Sequence, residues 1–404
     1  MRLAAQRHVA LSLPQYSLKC SESDQLSKAA DELDYVRFGF FGETGGLLSV
    51  VKRSVRDQVS EPQSQLASEE LGDALWYLVV VAKIVGVDPN ALGAACIREL
   101  RKRAGDNDTA PGLPISFRHI DGVLEAHRGE WDISRVHQLG VLANCAGVMA
   151  STAHEQLTSM SRPAATQHLG KILAEWALAC STFDLKVEDV AAENLRKIAD
   201  RWPSETVYSP PFDPKDRYPE YERFPKRLRI EFIERNEGGR SYVVQQLHGV
   251  NIGDRLTDNS NEPDDYRFHD VFHLAYVAHL GWSPVLRSLL KLKRKSQPTV
   301  DENEDGARAI IIEEGIATWI FNHARSRDYY EGVAQGRLDY GLLKQIKSMV
   351  DGYEVDACPL WQWELAILRG FEVFRQLREN RGGIVTVDTI SHSLSFSKSK
   401  RHTR

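Results

Sequence analysis

The feature that most constrains this chain is a stretch that occurs twice. The 34 residues from Glu70 align without a gap on those from His168. Each copy reads as a long apolar helix, a break, and a shorter amphipathic helix ending in basic residues. Identity is confined to the pairs Leu71/Leu169, Gly72/Gly170, Leu75/Leu173, Ala94/Ala192, Arg98/Arg196 and Arg103/Arg201. The matching apolar positions and the matching break carry more weight than those identities. Upstream, FGFFGETGG (Phe38–Gly46) lies against LGVLANCAG (Leu139–Gly147) at a slightly different offset. This pattern predicts a duplicated helical unit. Within the first copy, Asp88-Pro89 predicts a helix start, with proline in the first turn.

The rest of the chain reads differently. GDNDTAPGLP (Gly105–Pro114) and the proline-rich PSETVYSPPFDPKDRYP (Pro203–Pro219) read as linkers, since proline interrupts a helix. LRIEFIER, NEGG and RSYVVQQLHG form an alternating apolar–polar pattern around a glycine turn, the signature of a β-hairpin. Helices follow in YRFHDVFHLAYVAHLGW, SPVLRSLLKLKRK and EDGARAIIIEEGIATWIFNHARS, with two more near 338–350 and 360–379. The expected fold is mainly α. Its segments are helical repeats at 1–104 and 115–203, a linker at 204–226, an α-rich domain with a β-hairpin at 227–395, and a basic tail at 396–404.

Composition narrows the function classes. Lys plus Arg number 51 against 56 Asp plus Glu, a net charge of -5 that argues against a chain built to neutralise nucleic acid. The five scattered cysteines include no CxxC pair, so neither a disulfide framework nor a cysteine zinc site is expected. Arg7 interrupts a signal-peptide core, and the apolar run Ala74–Val87 carries Lys83 and is too short to span a bilayer. A cytoplasmic protein without membrane partners is the expectation.

Three carboxylates in the first copy suggest chemistry. Glu70 and Asp73, three apart, share one helical face, and Glu43 precedes them in another helix-compatible segment. Oxygen ligands without cysteine or histidine nearby favour Mg²⁺ or Mn²⁺. A solvated acidic helix start, favourable for the helix dipole, is the competing reading.

GETGGLLSVVKR followed by SEELGDALWYLVVVAKIVGVD resembles the MazG-like, all-α nucleoside triphosphate pyrophosphohydrolases over roughly Asp24–Arg103. The resemblance implies a helical fold, Mg²⁺-dependent pyrophosphate release, and Glu43, Glu70 and Asp73 as metal ligands. Glu43 or Glu70 would serve as catalytic base, and sequence does not separate base from ligand. The pattern departs at Gly46, where the family has a fourth acid. NLRKIADRWP (Asn194–Pro203) also resembles the family's closing helix. Yet Asn144, His168 and Lys171 stand where Glu43, Glu70 and Asp73 stood, so the second copy is not expected to bind Mg²⁺. Family members typically work as dimers, which implies that two repeats in one chain form a pseudo-dimer; a homo-oligomer is also expected. Asn194, Lys197, Arg201, Lys52 and Arg53 are candidates for phosphate contact, with exposed basic helix faces as the alternative. Trp76 and Tyr77 read as base-stacking or core residues.

A second candidate site lies in the third block. His269 and His273, four apart, share a helical face beside Asp270, and Glu313 and Glu314 sit in an otherwise apolar helix. A buried double carboxylate is expensive unless paired. Two imidazoles plus carboxylates suit a divalent transition metal, or the groups satisfy one another in a helical core. The pattern is not HExxH, and His269-Asp270 with the earlier His248 is a weak hint of HD-type phosphohydrolases. Gly249–Arg325 resembles a C-terminal domain often attached to MazG-like segments. Near it, KLKRK (Lys291–Lys295), Arg287, Arg267 and Arg308 supply charge for phosphates or a solvated basic turn.

The leading expectation is therefore an Mg²⁺-dependent pyrophosphohydrolase acting on a (deoxy)nucleoside triphosphate or modified nucleotide. The rivals are a nucleotide-sensing module coupled to a metal-dependent C-terminal phosphohydrolase or effector, and a non-enzymatic oligomerising scaffold.

Overall fold

The computed structural model describes residues 10–24, 31–57, 63–106, 111–131 and 134–399. The chain divides into two compact units, Met1–Ala199 and Asp200–Arg404.

The first unit is helical: α1 (Leu13–Ser23), α2 (Glu32–Arg56), α3 (Gln63–Ile84), α4 (Pro89–Ala104), α5 (Phe117–Ala126), α6 (Arg135–Ser151), α7 (His154–Thr158), α8 (Arg162–Ser181) and α9 (Val187–Arg201), whose last residues enter the second unit. Leu71, Leu75 and Leu78 of α3 and Leu169, Ile172 and Leu173 of α8 are buried in one core, as helical spacing requires. The break read in the first copy separates α3 from α4. Asp88 caps α4, its carboxylate accepting from the Ala91 amide at 2.9 Å, and Pro89 occupies the first turn.

The two copies cross-pack reciprocally. A Cβ on Gly72 of α3 would stand 3.0 Å from Cβ of Asn194 in α9, while one on Gly170 of α8 would collide with Ala95 of α4 and stand 3.2 Å from the Cys96 amide. Gly72 corresponds to Gly170 and Cys96 to Asn194 in the sequence alignment, so each copy's long helix meets the other copy's closing helix. Such reciprocity is the contact pattern of a two-fold-related pair.

The second unit comprises β1 (Arg227–Glu237), β2 (Arg240–Leu247), β3 (Val250–Leu256), α10 (Asp270–Leu280), α11 (Pro284–Leu289), α12 (Pro298–Asn303), α13 (Ala307–Arg325), α14 (Tyr340–Met349), α15 (Leu360–Asn380), β4 (Gly382–Asp388) and β5 (Ser393–Ser397). The expected hairpin is the pair β1–β2, but it belongs to a five-stranded antiparallel sheet ordered β3-β2-β1-β4-β5. Strand β4, far along the chain, closes on β1 through pairs such as Ile230↔Val385, and β5 pairs with β4. Gly382 and Gly383 make that closure sterically allowed: a Cβ on Gly382 would stand 2.5 Å from the Phe232 carbonyl, and one on Gly383 would strike the Phe396 ring. α10 is buried along its whole length and packs against α15 and the sheet.

Three boundary expectations change. Ser397, assigned to the tail, ends β5, and residues 400–404 lie outside the described residues. The segment read as a linker at 204–226 is built into the second unit, where Tyr218 and Glu222 are buried. In the first linker, residues 107–110 lie outside the described ones. The helix expected over SPVLRSLLKLKRK stops at Leu289, because Arg294 turns inward to pair with Asp305 and Glu354. Among the described residues, no single helix is long and apolar enough to cross a membrane.

Candidate functional sites

In the first unit, α2 and α3 bring the acidic residues face to face. Two glycines of α2 make room for side chains of α3: a Cβ on Gly39 would clash with the Tyr77 ring, and one on Gly46 with the Glu70 carboxylate. Gly46, read as a missing acid, is thus the position over which Glu70 lies. Glu43 and Glu70 share a side-chain hydrogen bond. Burial first, then the charges of Asp73 and Glu70, push the Glu43 carboxyl up to about 7, with Lys197 opposing.

Asp73 is held from α9. Asn194 Nδ2 donates to Asp73 Oδ1 at 3.0 Å, and Lys197 Nζ donates to Asp73 Oδ2. The same ammonium lies 3.0 Å from Glu69 Oε1, and the buried Tyr16 hydroxyl donates to Asn194 Oδ1 at 2.7 Å. Asn194 and Lys197 are therefore brought to the acids, as partners of Asp73. Glu69 and Tyr16 escaped sequence reasoning; the EE pair in SEELGD was a signal for Glu69, and nothing local marked Tyr16.

Other candidates fall elsewhere. Arg201 donates to the Leu338 carbonyl at 2.6 Å and lies over the Trp202 and Tyr340 rings, so its guanidinium is used in packing. Lys52 and Arg53 are exposed on the last turns of α2. Trp76 donates to Ser23 Oγ at 3.3 Å and meets Tyr77 edge-on. In the second copy, burial first and then the charge of Lys171 hold His168 below the usual imidazole range, an environment hostile to a cation.

The second unit joins the start of α10 to the middle of α13. His269 Nδ1 meets the Tyr266 carbonyl at 2.9 Å and its ring stacks on Tyr266, centroids 4.2 Å apart. His273 Nδ1 meets Glu313 Oε1 at 2.8 Å, while Glu313 Oε2 accepts from the Val285 amide at 2.8 Å. Both partners are acceptors, so both Nδ1 atoms carry hydrogen. His273 and Glu313 are fully buried, and the Glu314 side chain is 41% exposed. Asp270 accepts from Gln245 Nε2 at 2.6 Å and presents its other oxygen 3.0 Å from His269 Nε2. Burial opposes a charged His273, but Glu313 and Glu314 together hold its imidazole well above the usual range. Burial likewise opposes a charged Glu314, and the neighbouring His273 and His269 outweigh it to hold that carboxyl low.

Residues 207–400 match the MazG C-terminal domain. The match takes in the whole sheet, α10 to α15, and every member of the His/Glu cluster. No curated protein and no solved structure matches the chain.

Within residues 207–400 the remaining candidates are structural. His248 is exposed in the β2–β3 turn with φ +51°, so it does not join His269-Asp270 and the HD-type hint loses its third member. His279 is buried in α10 with Nδ1 3.5 Å from the Tyr208 hydroxyl. Arg267 is buried among Glu234, Asp258 and Asp265, and Arg287 reaches Asp213 at 2.8 Å. Arg294 is buried between Asp305 and Glu354 at 2.7 and 2.6 Å. These guanidiniums hold the domain together and are not presented to a phosphate; Arg308 stays exposed. Gln245 and Tyr266, which orient the cluster, were missed because only the fold brings the β2 residue to α10.

Proposed function

We propose that this chain acts on a (deoxy)nucleoside triphosphate or a modified relative in its helical unit, releasing pyrophosphate with Mg²⁺ or Mn²⁺ held by Glu43 and Glu70. The supporting observation is the Glu43–Glu70 pair. Two carboxyls close enough to share a hydrogen bond, with Asp73 adding charge, retain a proton near neutral pH. A divalent ion in place of that proton would relieve the same repulsion. When bound, such an ion supplies charge neutralisation on the triphosphate.

The other residues have separate work. Asp73 does not fit a first ligand while Lys197 and Asn194 hold it; it orients the ammonium and the amide, which are suited to phosphate oxygens. Whichever of Glu43 and Glu70 is not spent on the ion is suited to take a proton from the attacking water. The match of residues 207–400 supports a nucleotide-associated role without specifying the reaction.

The hold on Asp73 favours a second reading, in which the helical unit binds nucleotide without turnover. Incubation with a panel of nucleoside triphosphates and Mg²⁺ or Mn²⁺, following pyrophosphate against orthophosphate, separates the two. Pyrophosphate release that falls by about 100-fold or more in Glu70→Gln supports the first reading. No turnover, with nucleotide raising the melting temperature, supports the second. Neither turnover nor protection leaves only a scaffold.

A further inference from the structure

We infer that the MazG C-terminal domain of this chain holds a divalent transition-metal ion between His269 Nε2, His273 Nε2 and the Glu314 carboxylate. The inference is independent of the pyrophosphohydrolase reading, which concerns the other unit.

Three observations carry it. First, among the described residues this is the group of three ligands whose donor atoms all lie within 4.8 Å of one another. Glu314 Oε2 stands 3.6 Å from His273 Nε2 and 3.8 Å from His269 Nε2. Those separations are long for hydrogen bonds but near the spacing of co-ligands: donors bound at about 2.0–2.1 Å in a tetrahedron lie roughly 3.3 Å apart.

Second, His273 Nε2 is buried with no hydrogen-bond partner. With Nδ1 engaged by Glu313, Nε2 is the nitrogen left to face Glu314, within 4.8 Å of the His269 donor nitrogen.

Third, the outer contacts are those that metal-binding imidazoles require. Each Nδ1–H is fixed by an acceptor, the Tyr266 carbonyl or the Glu313 carboxylate, which sets the tautomer and the ring plane. Asp270, Glu313 and Glu314 place three carboxylates around the two imidazoles, a donor set that suits a divalent ion.

Two imidazoles select a first-row ion such as Zn²⁺, Co²⁺ or Fe²⁺ over Mg²⁺ or Ca²⁺. Three protein ligands with Glu314 on the solvent side leave a position open, as in catalytic and not in closed structural sites. Asp270, oriented by Gln245, sets a further carboxylate oxygen beside that position.

The test uses the full chain, stripped with chelator and reloaded with Zn²⁺ or Co²⁺ in a large excess of Mg²⁺, which competes for the carboxylate pair of the first unit. The expected result is about one equivalent bound per chain, with visible Co²⁺ absorption typical of nitrogen–oxygen coordination. Affinity should fall about 100-fold or more in Glu314→Gln and in His269→Gln, and about 10–100-fold in Glu313→Gln. Glu314 is half-exposed, so its variant keeps the metal-free melting profile, and Glu70→Gln loads as wild type does. Failure of wild type to retain Zn²⁺ or Co²⁺, or retention unchanged in Glu314→Gln, would overturn the assignment. Loss of metal in Glu70→Gln would overturn it as well, since the ion would then sit in the first unit.

Discussion

Glu70 lies across Gly46, its carboxylate filling the space that any larger residue on that turn of α2 would need. The glycine therefore sets where the acid stands, and with it the hydrogen bond to Glu43. Gly46→Ala adds a methyl group against the movable end of Glu70, so the helix tolerates it while the carboxylate is displaced. Alanine is favoured over glycine in a helix by about 1 kcal/mol, which leaves the melting temperature near or above wild type. Mg²⁺ affinity, followed by calorimetric titration, is expected to drop by about tenfold; an unchanged affinity would remove Glu70 from the ligand set.

The raised Glu43 carboxyl has a sign that can be read in solution. Its folded value, about 7, exceeds the ordinary 4.5, so the folded chain holds a proton that the unfolded chain has released. Its contribution is therefore present at low pH and is lost as pH rises from about 4.5 through about 7. Melting temperature against pH should decline over that window in wild type and flatten in Glu43→Gln. Adding Mg²⁺ should restore stability at the upper end for wild type alone.

Lys197 occupies the position of a cation between Glu69 and Asp73. Replacing it with methionine leaves the carboxylates without their ammonium and costs about 1 kcal/mol for this partly exposed contact. The same change makes the site more receptive to a divalent ion. Thermal protection by Mn²⁺ is expected to be larger in Lys197→Met than in wild type; equal protection would place the ion away from Asp73.

Arg294 tests the reading of the basic run as structure. Its guanidinium is buried between Asp305 and Glu354, and removal would strand a buried aspartate. Arg294→Ala should destabilise the second unit by about 3–5 kcal/mol in denaturant unfolding. Arg308→Ala, at an exposed position of the same region, should change it by less than about 0.5 kcal/mol.

Much of this was legible in order along the chain. Helices α3 and α4, the capping Asp88-Pro89 and the β1–β2 hairpin depend on contacts within a few residues, and local spacing reports those directly. The same holds for His269 and His273, one helical turn apart, and for the acidic face shared by Glu70 and Asp73. β4 and β5 form a hairpin of their own, but the glycine-led GGIVTVD and the serine-rich SLSFS do not mark one locally; β4 is fixed as a strand by pairing with β1, far back in the chain.

The amino-acid order by itself determined the mainly helical character, the β1–β2 hairpin and the identity of the groups able to do chemistry, since periodicity and residue type are local properties. Tertiary structure alone decided their partners. It gave Asp73 to Lys197, turned the Arg287 and Arg294 charges inward, and set Glu314 of α13 opposite two imidazoles of α10. A side chain's charge is written in its residue, but whether that charge is spent on packing or held ready for a ligand depends on what folding brings within a few ångströms of it.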